Sequence, residues 1–267
     1  MTFNKISRAI GAAAVLTLLG TAAHAQGVVG SPHDLAPQTT NTSETCVFCH
    51  TPHGAATTAA VPLWNKTLPS STYQRYSSLQ TSTLTGAEAA VGSVSLACLS
   101  CHDGSQAVDT VLNAPGRGMG ATTPSQIDST VFGTMTGTPV PMLSTDLRDD
   151  HPISIQYAGG GLIGTDADGT APLASLGNQD FNPPEKDTIN TNPAWWVDSE
   201  ATPNNTREKT DMILYTRTEL VAAGEPMVEC GSCHDPHNSS TFIANQQVSF
   251  LRIDNDSSAI CTTCHIK

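Results

Sequence analysis

Aromatic residues are scarce in this chain, at 5% of its 267 positions, and long apolar runs are nearly missing after residue 25. Residues 114–141 and 165–192 show neither a 2.0 nor a 3.6 period and are dense in turn formers. Side chains of this kind bury too little apolar surface to offset the entropy of ordering the backbone. An ordinary hydrophobic core is therefore not expected, and some other apolar body must supply one. Positive charge is also sparse, with 12 basic against 24 acidic residues and a net charge of −12. That balance excludes nucleic acid and anionic lipid as electrostatic partners. The one sustained apolar stretch, Ile10 to Ala23, follows Lys5 and Arg8 and precedes Ala23-His24-Ala25. It predicts a signal peptide over 1–25, cleaved before Gln26. The stretch is short and broken by Gly and Thr, so it does not read as a membrane span, and none is expected once it is removed. No Cys follows the cleavage site to carry a lipid. A secreted protein is expected, at the outer cell surface or in the extracellular space, with the periplasm as the alternative.

What the chain does have is eight cysteines in four copies of one pattern. They read Cys46-Val-Phe-Cys49-His50, Cys98-Leu-Ser-Cys101-His102, Cys230-Gly-Ser-Cys233-His234 and Cys261-Thr-Thr-Cys264-His265. Cys-x-x-Cys-His is the attachment signature of c-type haem. Two thiols three residues apart reach the two vinyl groups of one porphyrin, and the following imidazole lies beneath the iron. Structural zinc and disulfides compete for paired cysteines, but neither explains a His after every pair. The reading is four covalently attached haem c groups per chain, whose flat rings supply the missing core.

The histidine count carries this further. Of nine His, His24 leaves with the signal peptide and His50, His102, His234 and His265 are the proximal ligands. His33, His53, His151 and His237 remain, one for the sixth position of each haem. Bis-histidine ligation of all four irons is expected. Met119, Met135, Met142, Met212 and Met227 are rival ligands that nothing in their spacing favours.

The first and third motifs continue to a second histidine, as His50-Thr-Pro-His53 and His234-Asp-Pro-His237, while the other two do not. One free histidine, His33 or His151, precedes each extended motif. The mature chain thus divides into two dihaem modules, 26–139 and 140–267, within one continuous haem-cored domain. Residues three apart on a helical turn share a face, so His53 and His237 serve haems other than the one their own motif holds. The repeat assigns His33 to the first haem, His151 to the third and His237 back to the second. His151 also follows Asp149 and Asp150, either of which offers an acceptor for its ring N–H. For His53 the equivalent partner is the fourth haem of a neighbouring copy; the alternative is the fourth haem of its own chain.

Taken with Pro62-Leu63-Trp64-Asn65, Asp150-His151-Pro152-Ile153 and the terminal Cys-x-x-Cys-His-x-Lys, these motifs resemble the tetrahaem outer-surface filament cytochromes (the OmcE type) of metal-reducing bacteria. The resemblance implies stacked haems, a ligand crossing between subunits, and polymerisation into conducting filaments. It also implies a mostly irregular chain with short helices and little β-structure, wrapped around the haems. The partners expected are other copies of the chain, joined head-to-tail, and redox proteins or extracellular acceptors. A soluble periplasmic tetrahaem carrier is the alternative function. A reductase is not expected, because the histidine count leaves no iron with an open position.

Local expectations are few. Each motif is expected on a short helical turn, Asp211–Ala223 as an amphipathic helix ending near Gly224, and Val248–Ile253 as a short strand. Trp195-Trp196 reads as core packing rather than a haem shield. Asp166-Ala-Asp168-Gly begins like a calcium loop but lacks the closing Glu, and is discounted.

Overall fold

The computed structural model describes residues 27–115, 125–127, 133–135, 142–162, 175–218, 224–238 and 250–266. The expected signal peptide and the Asp166–Gly169 segment lie outside the described residues.

A five-stranded antiparallel sheet organises the second half of the chain. Its members are β3 (Ile155–Gln156), β4 (Glu185–Ile189), β5 (Asn192–Val197), β6 (Met212–Thr216) and β7 (Pro226–Val228), in the order β3-β7-β6-β5-β4. A smaller pair, β1 (Thr110–Val111) and β2 (Ser125–Gln126), sits apart. The expectation of a mostly irregular chain with little β-structure is therefore wrong.

The local reasons are specific. The stretch expected to start a helix at Asp211 is instead β6, Met-Ile-Leu-Tyr-Thr. Met212, Ile213 and Leu214 are all buried, because an inner strand covered on both faces reads as a continuous apolar run rather than an alternation. β4, Glu-Lys-Asp-Thr-Ile, is polar because it forms the sheet edge, where charge discourages pairing with another chain. Asn190 and Thr191 join β4 to β5 with φ of 50° and 67°. Two consecutive left-handed residues make the tight turn whose twist suits an antiparallel hairpin.

The sheet also builds the side-chain core that the composition had argued against. Trp195, Val197, Met212 and Leu214 pack with Tyr157, Leu162 and Leu176, and Cys233, Ile260 and Cys264 lie against the same cluster. Trp195 is thus a core residue, as expected. A second cluster joins Val47, Phe48, Val111 and Ile127 beside Cys49. Phe250–Ile253 forms no strand; only Leu251 makes an isolated bridge. Among the described residues, no helix is long and apolar enough to cross a membrane.

Candidate functional site

All four Cys-x-x-Cys segments lie on helical turns. Cys46 sits in a 3-10 turn (Thr45–Phe48), and the others occupy α1 (Ser93–His102), α2 (Cys230–Cys233) and α3 (Ala259–Cys264). In the first, third and fourth motifs the histidine leaves the turn in extended conformation and pairs with a separate strap of chain. The bridges are His50 with Trp64, His234 with Leu251 and His265 with Phe181. Each strap also donates a backbone N–H to the second cysteine's carbonyl: Asn65 to Cys49 (2.8 Å), Arg252 to Cys233 (2.9 Å) and Asn182 to Cys264 (2.8 Å). The second motif differs, since α1 runs on through His102, whose carbonyl accepts from Leu143 N (2.7 Å).

Burial and neighbouring thiols shift Cys49, Cys98 and Cys264 upward. Burial, and then the neighbouring Cys101, pushes Cys49 up to about 12. Cys98 hydrogen-bonds Cys230, which with burial raises Cys98 well above its ordinary value. Burial and then Cys233 push Cys264 up to about 12. None of the eight cysteines is in a disulfide.

Six of the eight histidines face one another in pairs. The ring centroids of His50 and His237 lie 6.1 Å apart at 20°, those of His33 and His102 6.1 Å apart at 70°, and those of His151 and His265 6.4 Å apart at 63°. Two imidazoles on opposite sides of one metal, each at a metal–nitrogen distance of about 2 Å, have centroids about 6 Å apart. These separations fit an iron between each pair. A cavity of about 200 Å³ beside His151 and His265 is lined by Ile155, Tyr157, Phe181 and Val228, walls suited to an apolar ring.

The pairing corrects the assignment read from the repeat. His33 faces the second motif rather than the first, His151 the fourth rather than the third, and His237 the first rather than the second. The repeat misleads because it orders motifs along the chain, while the partner of each histidine depends on how the two halves interlock. The fourth motif thus has an imidazole of its own chain, His151, opposite His265. His53 itself is exposed, on a turn fixed through its carbonyl by Thr51 Oγ1 (3.0 Å) and Asn113 Nδ2 (2.7 Å). It has no ring contact with His234 in the same chain.

Several supports orient the rings. Pro62 O lies 2.9 Å from His50 Nδ1 and Pro152 O lies 3.0 Å from His151 Nδ1, which leaves each Nε2 for a metal. The acceptor for His151 is thus a backbone carbonyl and neither Asp149 nor Asp150. Asp235 Oδ1 lies 3.5 Å from His237 Nδ1, and that contact holds Asp235 down at about 2. His33 stacks on Phe250 at 4.3 Å; burial and then His102 lower it to about 4, so it is a neutral imidazole at neutral pH.

Two buried polar centres went unnoticed in the sequence. Glu229 caps α2 and accepts hydrogen bonds from Ser95 (2.6 Å), Ser154 (3.0 Å) and Arg217 (3.3 Å), while Ser95 Oγ accepts Cys230 N (3.0 Å). This ties the second motif to the third. Lys66, with no exposed surface, donates to the carbonyls of Ala107, Val108 and Thr110 (3.3, 3.0 and 2.7 Å) beneath the first motif. Nothing in either local sequence marks a buried charge.

A family model described as the doubled CXXCH motif matches residues 220–267, which hold the third and fourth motifs. The Cys-x-x-Cys-His pairs are covalent haem c attachment sites. No curated protein matches the chain. The matched segment supports a haem-binding, electron-transfer cytochrome carrying more than one haem, and it ends short of the first two motifs.

Proposed function

We propose that the chain is a tetrahaem c-type cytochrome that relays electrons along a row of four haems and joins head-to-tail with its own copies outside the cell. The observation that carries this reading is the facing of imidazoles, His33 with His102, His50 with His237 and His151 with His265, at 6.1, 6.1 and 6.4 Å between ring centroids. Haem iron, when bound, accepts and releases one electron at a time without needing an open coordination position.

The chain's own residues prepare the rest. The facing imidazoles supply axial ligands from both sides, which favours electron transfer over substrate chemistry. His53 is exposed, and His265 of the fourth motif faces His151, which weighs against the compact carrier. A haem motif of the next copy is the junction at which His53 of one copy meets it. Export through the 1–25 signal peptide places this assembly beyond the cytoplasm.

The test begins with the secreted holoprotein. A pyridine haemochrome assay against protein mass is expected to give four haems per chain, and paramagnetic resonance only low-spin iron. Electron microscopy is expected to show filaments. Fewer than four haems, a high-spin signal or a near-infrared methionine–iron band overturns the ligand scheme, and a monodisperse monomer overturns the assembly.

A further inference from the structure

The strap behind the first motif also grips the chain that leaves the second, and it carries a buried charge. Asn65 donates from its backbone to Cys49 O (2.8 Å) and from Nδ2 to Val47 O (2.7 Å), both on the first motif. On the other side Asn65 O accepts from Leu112 N (2.7 Å), and Thr67 exchanges hydrogen bonds with Gln106 (2.9 and 3.2 Å). Between these two clamps lies Lys66, with no exposed surface. Its Nζ ends on the carbonyls of Ala107, Val108 and Thr110, a few residues beyond His102.

Three carbonyl acceptors engage three N–H donors, which an ammonium has and a neutral amine lacks. Lys66 is thus a positive charge held at a fixed point. Among the described residues no carboxylate forms an ion pair with it. Asp109, in the same loop, accepts from Gln126 Nε2 (3.5 Å), and Asp103 accepts from Tyr73 and Ser71 (2.7 and 3.2 Å). The other buried basic side chain among the described residues, Arg217, is instead paired with Glu229 at 3.3 Å.

Both motifs feel this charge. Burial raises the Cys101 thiol, and burial followed by Cys101 pushes Cys49 up to about 12; in each the Lys66 ammonium pulls the other way. A buried charge acts through a low dielectric and is little screened by salt. One electron gained at an iron makes its surroundings more negative by one unit, so a fixed cation nearby favours the reduced state. A lysine that only ties the loop would leave that balance unmoved.

We propose that Lys66 is a fixed buried cation that raises the reduction potentials of the haems held by the first and second motifs. The inference rests on the tetrahaem reading above and adds to it a residue that sets how readily two of the four haems accept an electron.

The experiment is a potentiometric titration of the holoprotein, followed by haem absorbance, on wild type, Lys66→Gln and Lys66→Arg. A pyridine haemochrome assay first counts the haems of each. Gln keeps two N–H donors for the carbonyls without the charge, whereas Arg keeps the charge. Four haems are expected in all three proteins. In Lys66→Gln two of the four one-electron steps are expected to fall by about tenfold in equilibrium constant, or about 59 mV, while the other two stay. Lys66→Arg is expected to leave all four in place. A Lys66→Gln titration that overlays wild type overturns the proposal, and so does an equal fall in Lys66→Arg, which would take the charge out of the cause. Loss of fold or haem from Lys66→Gln assigns Lys66 to tying the loop and overturns it as well. Fewer than four haems in the wild type overturns the tetrahaem reading itself, and the proposal with it.

Discussion

Glu229 meets Ser95, Ser154 and Arg217 where α1, α2 and the end of β6 converge, out of reach of water. Breaking a buried pair by removing one partner strands the other charge, which costs about 3–5 kcal/mol. Arg217→Met is expected at the lower end, about 3 kcal/mol by chemical denaturation, because Glu229 can take up a proton. The same residue sets a pH dependence. Burial raises the Glu229 pKa against the opposing pull of Ser95 and Arg217. A carboxyl whose folded pKa lies above its unfolded value contributes stability that is complete below the ordinary 4.5 and is lost as pH rises through the folded value. Glu229→Gln is expected to flatten that part of the stability profile; an unchanged slope would assign it to another group. None of this was legible in the residues themselves. The Cys-x-x-Cys-His sites were, because covalent attachment needs its groups within five consecutive positions, whereas Glu229 finds its partners 12, 75 and 134 residues away.

The strap behind each motif is a regularity of elements rather than of sequence. Trp64, Leu251 and Phe181 share no motif, yet each pairs antiparallel with a proximal histidine as it leaves its turn. The repeat of extended and plain motifs grouped the first with the third and the second with the fourth. The straps group the first, third and fourth, and leave the second as the exception on α1. The sheet was hidden for a related reason: its inner strand has no alternation and its edge strand has hardly any apolar residue, so a search for period 2 passes over both. The β4–β5 hairpin offers a direct check on that sheet. Thr191 is β-branched and left-handed at φ 67°, a conformation costing an ordinary residue about 1–2 kcal/mol and glycine almost nothing. Thr191→Gly is expected to raise stability by about 0.5–1 kcal/mol, the relief being partly offset by the freer unfolded chain. Thermal unfolding measures it, and a clear loss of stability would argue against the two-residue turn.

At the scale of the whole molecule the two halves interlock instead of lying side by side. His237 crosses to the first motif and Ser95 of α1 bonds Glu229 and Cys230, so contacts between motifs run through the boundary that the sequence drew near residue 140. The histidine count anticipated that each spare imidazole would have a partner, but it carried no information on which half supplies it. In the proposed assembly His53 is the decisive residue. It is exposed, three residues after His50 of the first motif, and belongs to none of the three facing pairs. A contact between unlike surfaces of identical copies either closes into a ring or continues as a helical filament. A bond from His53 of one copy to a haem motif elsewhere on the next is of this unlike kind, and in the proposed assembly it would continue the haems across the junction. His53→Ala removes only an exposed side chain, so four haems and the fold are expected to survive, with thermal stability of the monomer unchanged within about 0.5 kcal/mol. Filaments are expected to disappear from micrographs, and one iron in four to turn high-spin or to bind added imidazole. Filaments of ordinary length from His53→Ala alone would place the junction elsewhere on the molecule.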